Sequence, residues 1–410
     1  MKRSLALLFL LTVGCSKSVN YLPPVVCSSD EILSSGSCLK TDFRLNKNPM
    51  AAGSRSSEKF QKTSDGTKIV YISDEDTLGQ DELYVVDLEG GGKQKISQAL
   101  IADGDVSSFV ISPNSQKVAF LADASEDGKA NLYTVDLDGS NLAQVNAGVP
   151  TVAHVVADTY KFMPNSQKLV FVTDEQSVAG DYDLLIANLD GSGRIPLNVT
   201  APGNGRVNLK FEISPSGRIA YPSVATGSNN EWIMSSVLSD ASGYRRLSAL
   251  TATSSRTVQQ DAFLITPNGS KVVYLSTAAD PFKKELYSID IDALYPTSEV
   301  KISAVVVANG NVDGSTGVMF QSTADSSKII FAGDVTTDNI KELYSVGVNG
   351  GAVTKLNGPM VLGQNVASFK IASNSQDLLY VSDESVDGIN DLFHTSLVSP
   401  AVVKVNSLLA

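Results

Sequence analysis

Histidine is almost missing from this chain: His154 and His394 are the only two among 410 residues. Cysteine is nearly as scarce, with Cys15, Cys27 and Cys38, and Trp232 is the single tryptophan. A zinc or multi-histidine centre needs three or four nitrogen or sulfur ligands, so these counts exclude one. Positive charge is in short supply as well, with 32 Lys and Arg against 44 Asp and Glu, a net charge of −12. Nucleic-acid binding needs a basic footprint, and this composition excludes it. One apolar run stands out, LALLFLLTV at 5–13, and it is too short to span a bilayer. No G-x-S-x-G nucleophile elbow occurs, which counts against a serine hydrolase. The rest is ordinary for a folded protein: 42% hydrophobic and 19% charged residues.

The N-terminus carries an address. Met1-Lys2-Arg3 followed by the apolar run reads as a signal peptide over residues 1–14. Its end, Leu11-Thr12-Val13-Gly14-Cys15, resembles a bacterial lipoprotein signal, which implies acylation of Cys15. Ser16 after that cysteine implies an outer-membrane lipoprotein, facing the periplasm or the surface. The membrane would then be reached through the lipid alone, each buried acyl methylene contributing roughly 0.8 kcal/mol. Residues 15–57 lack periodicity and read as a tether. An oxidising compartment makes a Cys27–Cys38 disulfide the expected staple on it.

From residue 58 to 406 one pattern recurs seven times. Its centre is an apolar strand: KIVYIS (68–73), KVAFLA (117–122), KLVFVT (168–173), RIAYPS (218–223), KVVYLS (271–276), KIIFAG (328–333) and DLLYVS (377–382). The central aromatics, from Tyr71 to Tyr380, are spaced by 49, 51, 50, 53, 57 and 49 residues. A strand ending in a turn such as Ser-Pro-Asn precedes each centre, and an acidic loop leads on to a third strand such as ELYVVDL (82–88). A turn such as Asp138-Gly139 then opens a short fourth strand. Four short antiparallel strands at a period near 50 residues predict a seven-bladed β-propeller, an all-β fold that removes most sheet edges. Every repeat looks complete in chain order. Closure of the ring by blade packing alone is therefore expected, residues 39–57 being the other possible source of a strand.

The unit F-x-x-S-P-x-G, then an apolar strand ending Ser-Asp, then L-Y-x-x-D, resembles the TolB-type, WD40-like propeller repeat of bacterial envelope proteins. TolB itself pairs a six-bladed propeller with a separate α/β domain. Seven blades on a short tether depart from that, so its partner specificity is not carried over. The resemblance implies a monomeric envelope protein.

Function is less legible. The b–c loops, between second and third strands, hold 22 acidic residues against four lysines, so the acidity gathers on one expected rim. Asp74, Asp76, Asp81, Asp174, Glu175 and Asp181 are the proposed binding face for another envelope protein or other ligand. Two loops carry oxygen-bearing side chains at calcium-loop spacing: Asp383, Ser385, Asp387 and Asp391, and Asp123, Ser125, Asp127 and Asn131. A weaker version is Asp334, Thr336, Asp338 and Glu342. Local capping of the loops by the same side chains is the competing account. No cofactor is required on this reading, Ca²⁺ being the one possible addition. His154 and His394 fall on different repeats without a nucleophile partner, and Trp232 is expected to pack between blades. The expectation is thus a non-catalytic binding scaffold. The alternatives are a propeller enzyme acting on carbohydrate or peptide, and a calcium-stabilised structural protein.

Overall fold

Apolar residues on both faces of the second and third strands leave no solvent side to the sheet, so each repeat needs a neighbour on either hand. In the computed structural model the repeats form seven four-stranded antiparallel sheets, each with its strands in chain order from one edge to the other. This is a seven-bladed β-propeller. The structure describes residues 31–34, 37–40 and 56–406, apart from 149–154, 175–181, 199–205, 225–231, 249–256, 278, 295–296, 305–306, 308–309 and 313–319. Within each blade the strands are named a to d. Blade 1 comprises Ser56–Lys62, Lys68–Ser73, Glu82–Asp87 and Gln94–Lys95, and blade 7 Val366–Ile371, Asp377–Val386, Ile389–Ser396 and Val403–Lys404. A separate hairpin, Glu31–Ser34 with Ser37–Lys40, precedes them and sets Leu33 opposite Cys38. The signal peptide, Cys15, Cys27 and His154 lie outside the described residues, and so therefore does the Cys27–Cys38 bridge. Among the described residues no helix is long and apolar enough to cross a membrane.

The a strands of blades 2 and 3 lie against each other, with Ser108 Oγ and Tyr160 Oη 2.8 Å apart. Strand a is thus innermost and strand d outermost. In five of the seven blades the core is an aromatic pair on neighbouring strands, while Phe171 of blade 3 faces Leu185 and Tyr221 of blade 4 faces Ser235. Tyr71–Tyr84, Phe120–Tyr133, Tyr274–Tyr287, Phe331–Tyr344 and Tyr380–Phe393 stack with centroids 5.5, 5.4, 5.7, 5.6 and 5.3 Å apart. These rings face backward along the chain. Phe120 and Tyr133 pack on Val70, Ile72 and Leu83 of blade 1, and the arrangement repeats up to the contact of blade 7 with blade 6.

The a–b turns lock successive blades together. Ser115, Ser166, Ser326 and Ser375 sit at φ of 57°, 59°, 62° and 57°, where other blades place Gly66, Gly217 and Gly269. Serine in this left-handed region is strained, but its hydroxyl accepts a backbone N–H from the preceding blade. The donors are Asp65 (3.2 Å), Asn114 (3.2 Å), Asn268 (2.9 Å) and Asp325 (3.0 Å), respectively.

The last joint differs from the expectation. Blade packing alone does not close the ring, because Leu379 and Val405 on the far face of blade 7 are 43% and 50% exposed.

Candidate functional site

Antiparallel strands put the b–c loops and the blade-to-blade connections at one end of the disc, as the repeat pattern required. A single connecting residue ties them. Asp105 Oδ1 accepts the Asp81 N–H of blade 1 at 2.6 Å, while its own N–H donates to Asp123 of blade 2 at 2.5 Å. Thr257 repeats the bridge between Trp232 and Thr277, at 3.0 and 2.9 Å. Asn311 does so between Lys284 and Asp334 (2.8 and 2.5 Å), and Asn365 between Lys341 and Asp383 (2.8 and 2.6 Å). A polar residue before valine was the available signal in the sequence, as in Asp105-Val106 and Asn365-Val366.

These bridges account for the first position of the calcium-like loops. The second oxygens of Asp74, Asp123 and Asp383 accept the N–H groups of Gly79, Gly128 and Gly388 at 3.2, 3.2 and 3.0 Å, which closes each loop. Asp391 is ion-paired to Lys404 at 2.6 Å and accepts from Asn406 at 3.0 Å. Lys404, with Asn406, holds its carboxyl below the ordinary range despite some burial. Asn131 accepts from Asn146 at 3.1 Å. Ser125, Asp127, Ser385 and Asp387 are exposed. Among the described residues no group of three or more His, Cys, Asp or Glu side chains is arranged to hold a metal ion. Because the oxygens of Asp123 and Asp383 already accept backbone N–H groups, thermal melts in Ca²⁺ and in chelator should superimpose. Asp123→Ala, which orphans two backbone N–H groups, should cost about 1–3 kcal/mol in urea unfolding.

The acidic rim is only partly a surface. Asp74 is buried at 3% exposure, Asp81 and Asp174 are half-buried and Asp76 is exposed. Glu175 and Asp181 lie outside the described residues.

The more distinctive carboxylates lie deeper. Glu82, Glu285 and Glu342 open the c strands with side chains 2%, 3% and 3% exposed. Each meets a lysine of strand d: Lys95 at 2.8 Å, Lys301 at 3.0 Å, and Lys355. Tyr84 donates to Glu82 at 2.9 Å; Tyr344 and Thr336 donate to Glu342 at 2.6 and 3.0 Å. Thr336 and Glu342 of the weakest cation loop thus do come together, around a lysine and a tyrosine.

Blades 6 and 7 share a second carboxylate at this point. Glu384 accepts from Tyr380 at 3.0 Å and from the Gly358 N–H at 3.1 Å. Burial raises its carboxyl above the ordinary range, against the opposing pull of Tyr380, Gly358 and the Lys355 ammonium. Burial also pushes Glu342 upward, but hydrogen bonds from Lys355, Tyr344 and Thr336 outweigh it and keep Glu342 below that range. The junction of blades 6 and 7 therefore holds two carboxyls of opposite protonation tendency, Lys355 being ion-paired with Glu342. Sequence reasoning missed Glu384, which looked like one more loop acid; its partner Gly358 is 26 residues away on the connection.

Two hollows accompany these groups. Trp232 packs against the core shared by blades 4 and 5, as expected, and also walls a 410 Å³ cleft with Thr257 and Gln259 to Ala262. A 510 Å³ hollow at the opposite end lies between Lys68 and Lys117, whose ammonium groups pair with Asp87 and Asp136. His394 pairs with Asp377 at 3.0 Å at that same end.

No family model and no curated protein matches the chain. Solved structures do. Dipeptidyl peptidase 4 of Porphyromonas gingivalis is similar over 92% of this chain and 56% of its own, at a TM-score of 0.61 and 13% identity. A prolyl endopeptidase matches over 87% of this chain and 50% of its own, at 0.48 and 12%. An oligogalacturonate lyase in complex with manganese matches over 90% and 96%, at 0.45 and 16%. The chain spans about half the length of the two peptidases. The propeller fold is shared. Against the expectations of a non-catalytic scaffold and of no enzyme, the dipeptidyl peptidase that shares it is an enzyme, and those expectations are corrected on that finding. Composition could exclude a zinc site and the missing nucleophile elbow could count against a serine hydrolase, but buried carboxyls gathered from distant loops leave no mark on composition.

Proposed function

We propose that this chain is a propeller enzyme acting on peptides, with its proton-transfer chemistry at Glu384, Lys355 and Glu342. The observation that carries the reading is the junction of blades 6 and 7, where Glu342 is ion-paired with Lys355 and Glu384 accepts from Tyr380 and the Gly358 N–H. Burial there favours the protonated form of Glu384 while Lys355 favours the anion of Glu342, which separates an acid from a fixed anion. Water adds to the carbonyl carbon, the C–N bond breaks as Glu384 delivers its proton to the leaving nitrogen, and the proton shed by the added water returns to Glu384. Lys355 faces the oxyanion that develops on the carbonyl, and Glu342 orients Lys355. The likeness to a dipeptidyl peptidase supports peptides over sugars. The test is turnover of dipeptidyl and tripeptidyl chromogenic amides by the purified protein, with oligosaccharides in parallel. Oligosaccharide cleavage alone would reassign the substrate, and no turnover on either would sink the reading.

The repeats support a TolB-type propeller, and the N-terminal signal supports export with an acyl anchor on Cys15. On that basis Cys15→Ala should move the protein from the detergent-soluble membrane fraction to the aqueous fraction, as read by fractionation and blotting.

A further inference from the structure

The joint between blade 7 and blade 1 stands apart from the other six. At the position of Leu379, Val70, Ala119, Val170, Ala220, Val273 and Ile330 are all 0% exposed, against 43% for Leu379. At the position of Val405, Ile96, Val145, Leu197, Leu247, Ile302 and Leu356 are at most 3% exposed, against 50% for Val405. Val381, Leu392 and Val403 continue the same face, Val403 at 56% exposure. Hydrogen bonds bridge each preceding pair of blades, but among the described residues none joins blade 7 to blade 1. Yet Tyr71, Tyr84 and Val86, on the blade-1 face that looks toward this joint, are only 5%, 1% and 0% exposed. Their core cluster contains no residue of blade 7. No apolar residue of blade 7 packs on them.

We propose that the chain's own N-terminal segment, residues 16–55, docks in this joint and closes the ring as a partial extra blade. The segment ends at Ser56, the first residue of strand a of blade 1, so connectivity delivers it to the seam. Its 40 residues approach the 49 to 57 of a full repeat, and it already holds a two-stranded antiparallel hairpin at Glu31–Lys40. Ile32, Leu33 and Leu39 in that hairpin, with Phe43 and Leu45 after it, supply apolar side chains for the exposed leucines and valines. A buried apolar seam closes the one pair of sheet faces that blade packing leaves open.

The test is site-specific photo-crosslinking in the full-length protein, with a benzophenone amino acid at Leu379 and, in a second variant, at Val405. Both positions face outward, so neither substitution disturbs the existing core. Proteolysis and mass spectrometry should find the predominant product joined within one chain to a peptide from residues 16–55. Crosslinks to residues 60–71 would mean that blade 1 itself closes the ring. A crosslinked dimer would mean a second copy, and no crosslink would mean an open seam; any of these three overturns the proposal.

Discussion

Glu384→Gln is expected to lower turnover of the peptide substrate at least a hundredfold while leaving the urea midpoint near that of the native protein. The amide keeps the shape of a protonated carboxyl, and with its oxygen in the place of Oε2 it can still accept from Tyr380 (3.2 Å) and from the Gly358 N–H (3.1 Å), so packing between blades 6 and 7 survives. What it loses is a transferable proton, and general acid catalysis contributes typically 10²–10⁴-fold. Burial raises the Glu384 carboxyl, so this group stays protonated to a higher pH than an ordinary glutamate. Activity that needs its proton is therefore full at low pH and falls as pH rises through the folded-state value. Stability follows the same direction: the contribution of Glu384 is complete below its unfolded value and is lost as pH rises through the folded one. Glu342 runs the opposite way, because Lys355, Tyr344 and Thr336 favour its anion. Its contribution is present above the unfolded value and lost as pH falls through the folded one. A variant that kept full turnover, or an activity limb that did not move, would remove Glu384 from the chemistry.

The repeat pattern made the propeller legible because the same physical demand recurs at every blade. An aromatic in the middle of strand b must pack on the preceding blade, and in five blades it does so together with an aromatic on strand c. Tyr71, Phe120, Phe331 and Tyr380 announce this by spacing alone. The carboxylate cluster was not legible, because Glu342, Lys355, Gly358 and Glu384 meet only after two blades are docked. The loop aspartates were legible as a pattern and ambiguous in meaning. Asp123 and Asp383 stand where a cation loop would want them, yet each is occupied by a connecting residue of the chain and by a loop glycine. The seam was invisible for a different reason: blade 7 spells the same motif as the others, and only its neighbour differs.

That difference sets the second large expected effect. Phe263→Ala should cost about 3–5 kcal/mol, the range for emptying a buried phenylalanine site, whereas Phe60→Ala should stay within about 0.5 kcal/mol. Both residues occupy the same place in strand a, opposite Tyr274 and Tyr71. Phe263 is 1% exposed and belongs to the core shared by blades 4 and 5, with Met234, Leu247 and Tyr287 around it. Phe60 is 70% exposed, so its truncation leaves no cavity. Trp232 packs against the Phe263 cluster and is the sole tryptophan, so its fluorescence during urea unfolding reports directly on that joint. In a propeller each blade touches only its neighbours, and stability is close to a sum of blade and joint terms. Phe263→Ala should accordingly shift the tryptophan transition to lower urea, and Phe60→Ala should leave it in place. Equal costs for the two would show that the blade-1 face is as firmly packed as the others, and the seam would then have to be closed directly over Phe60.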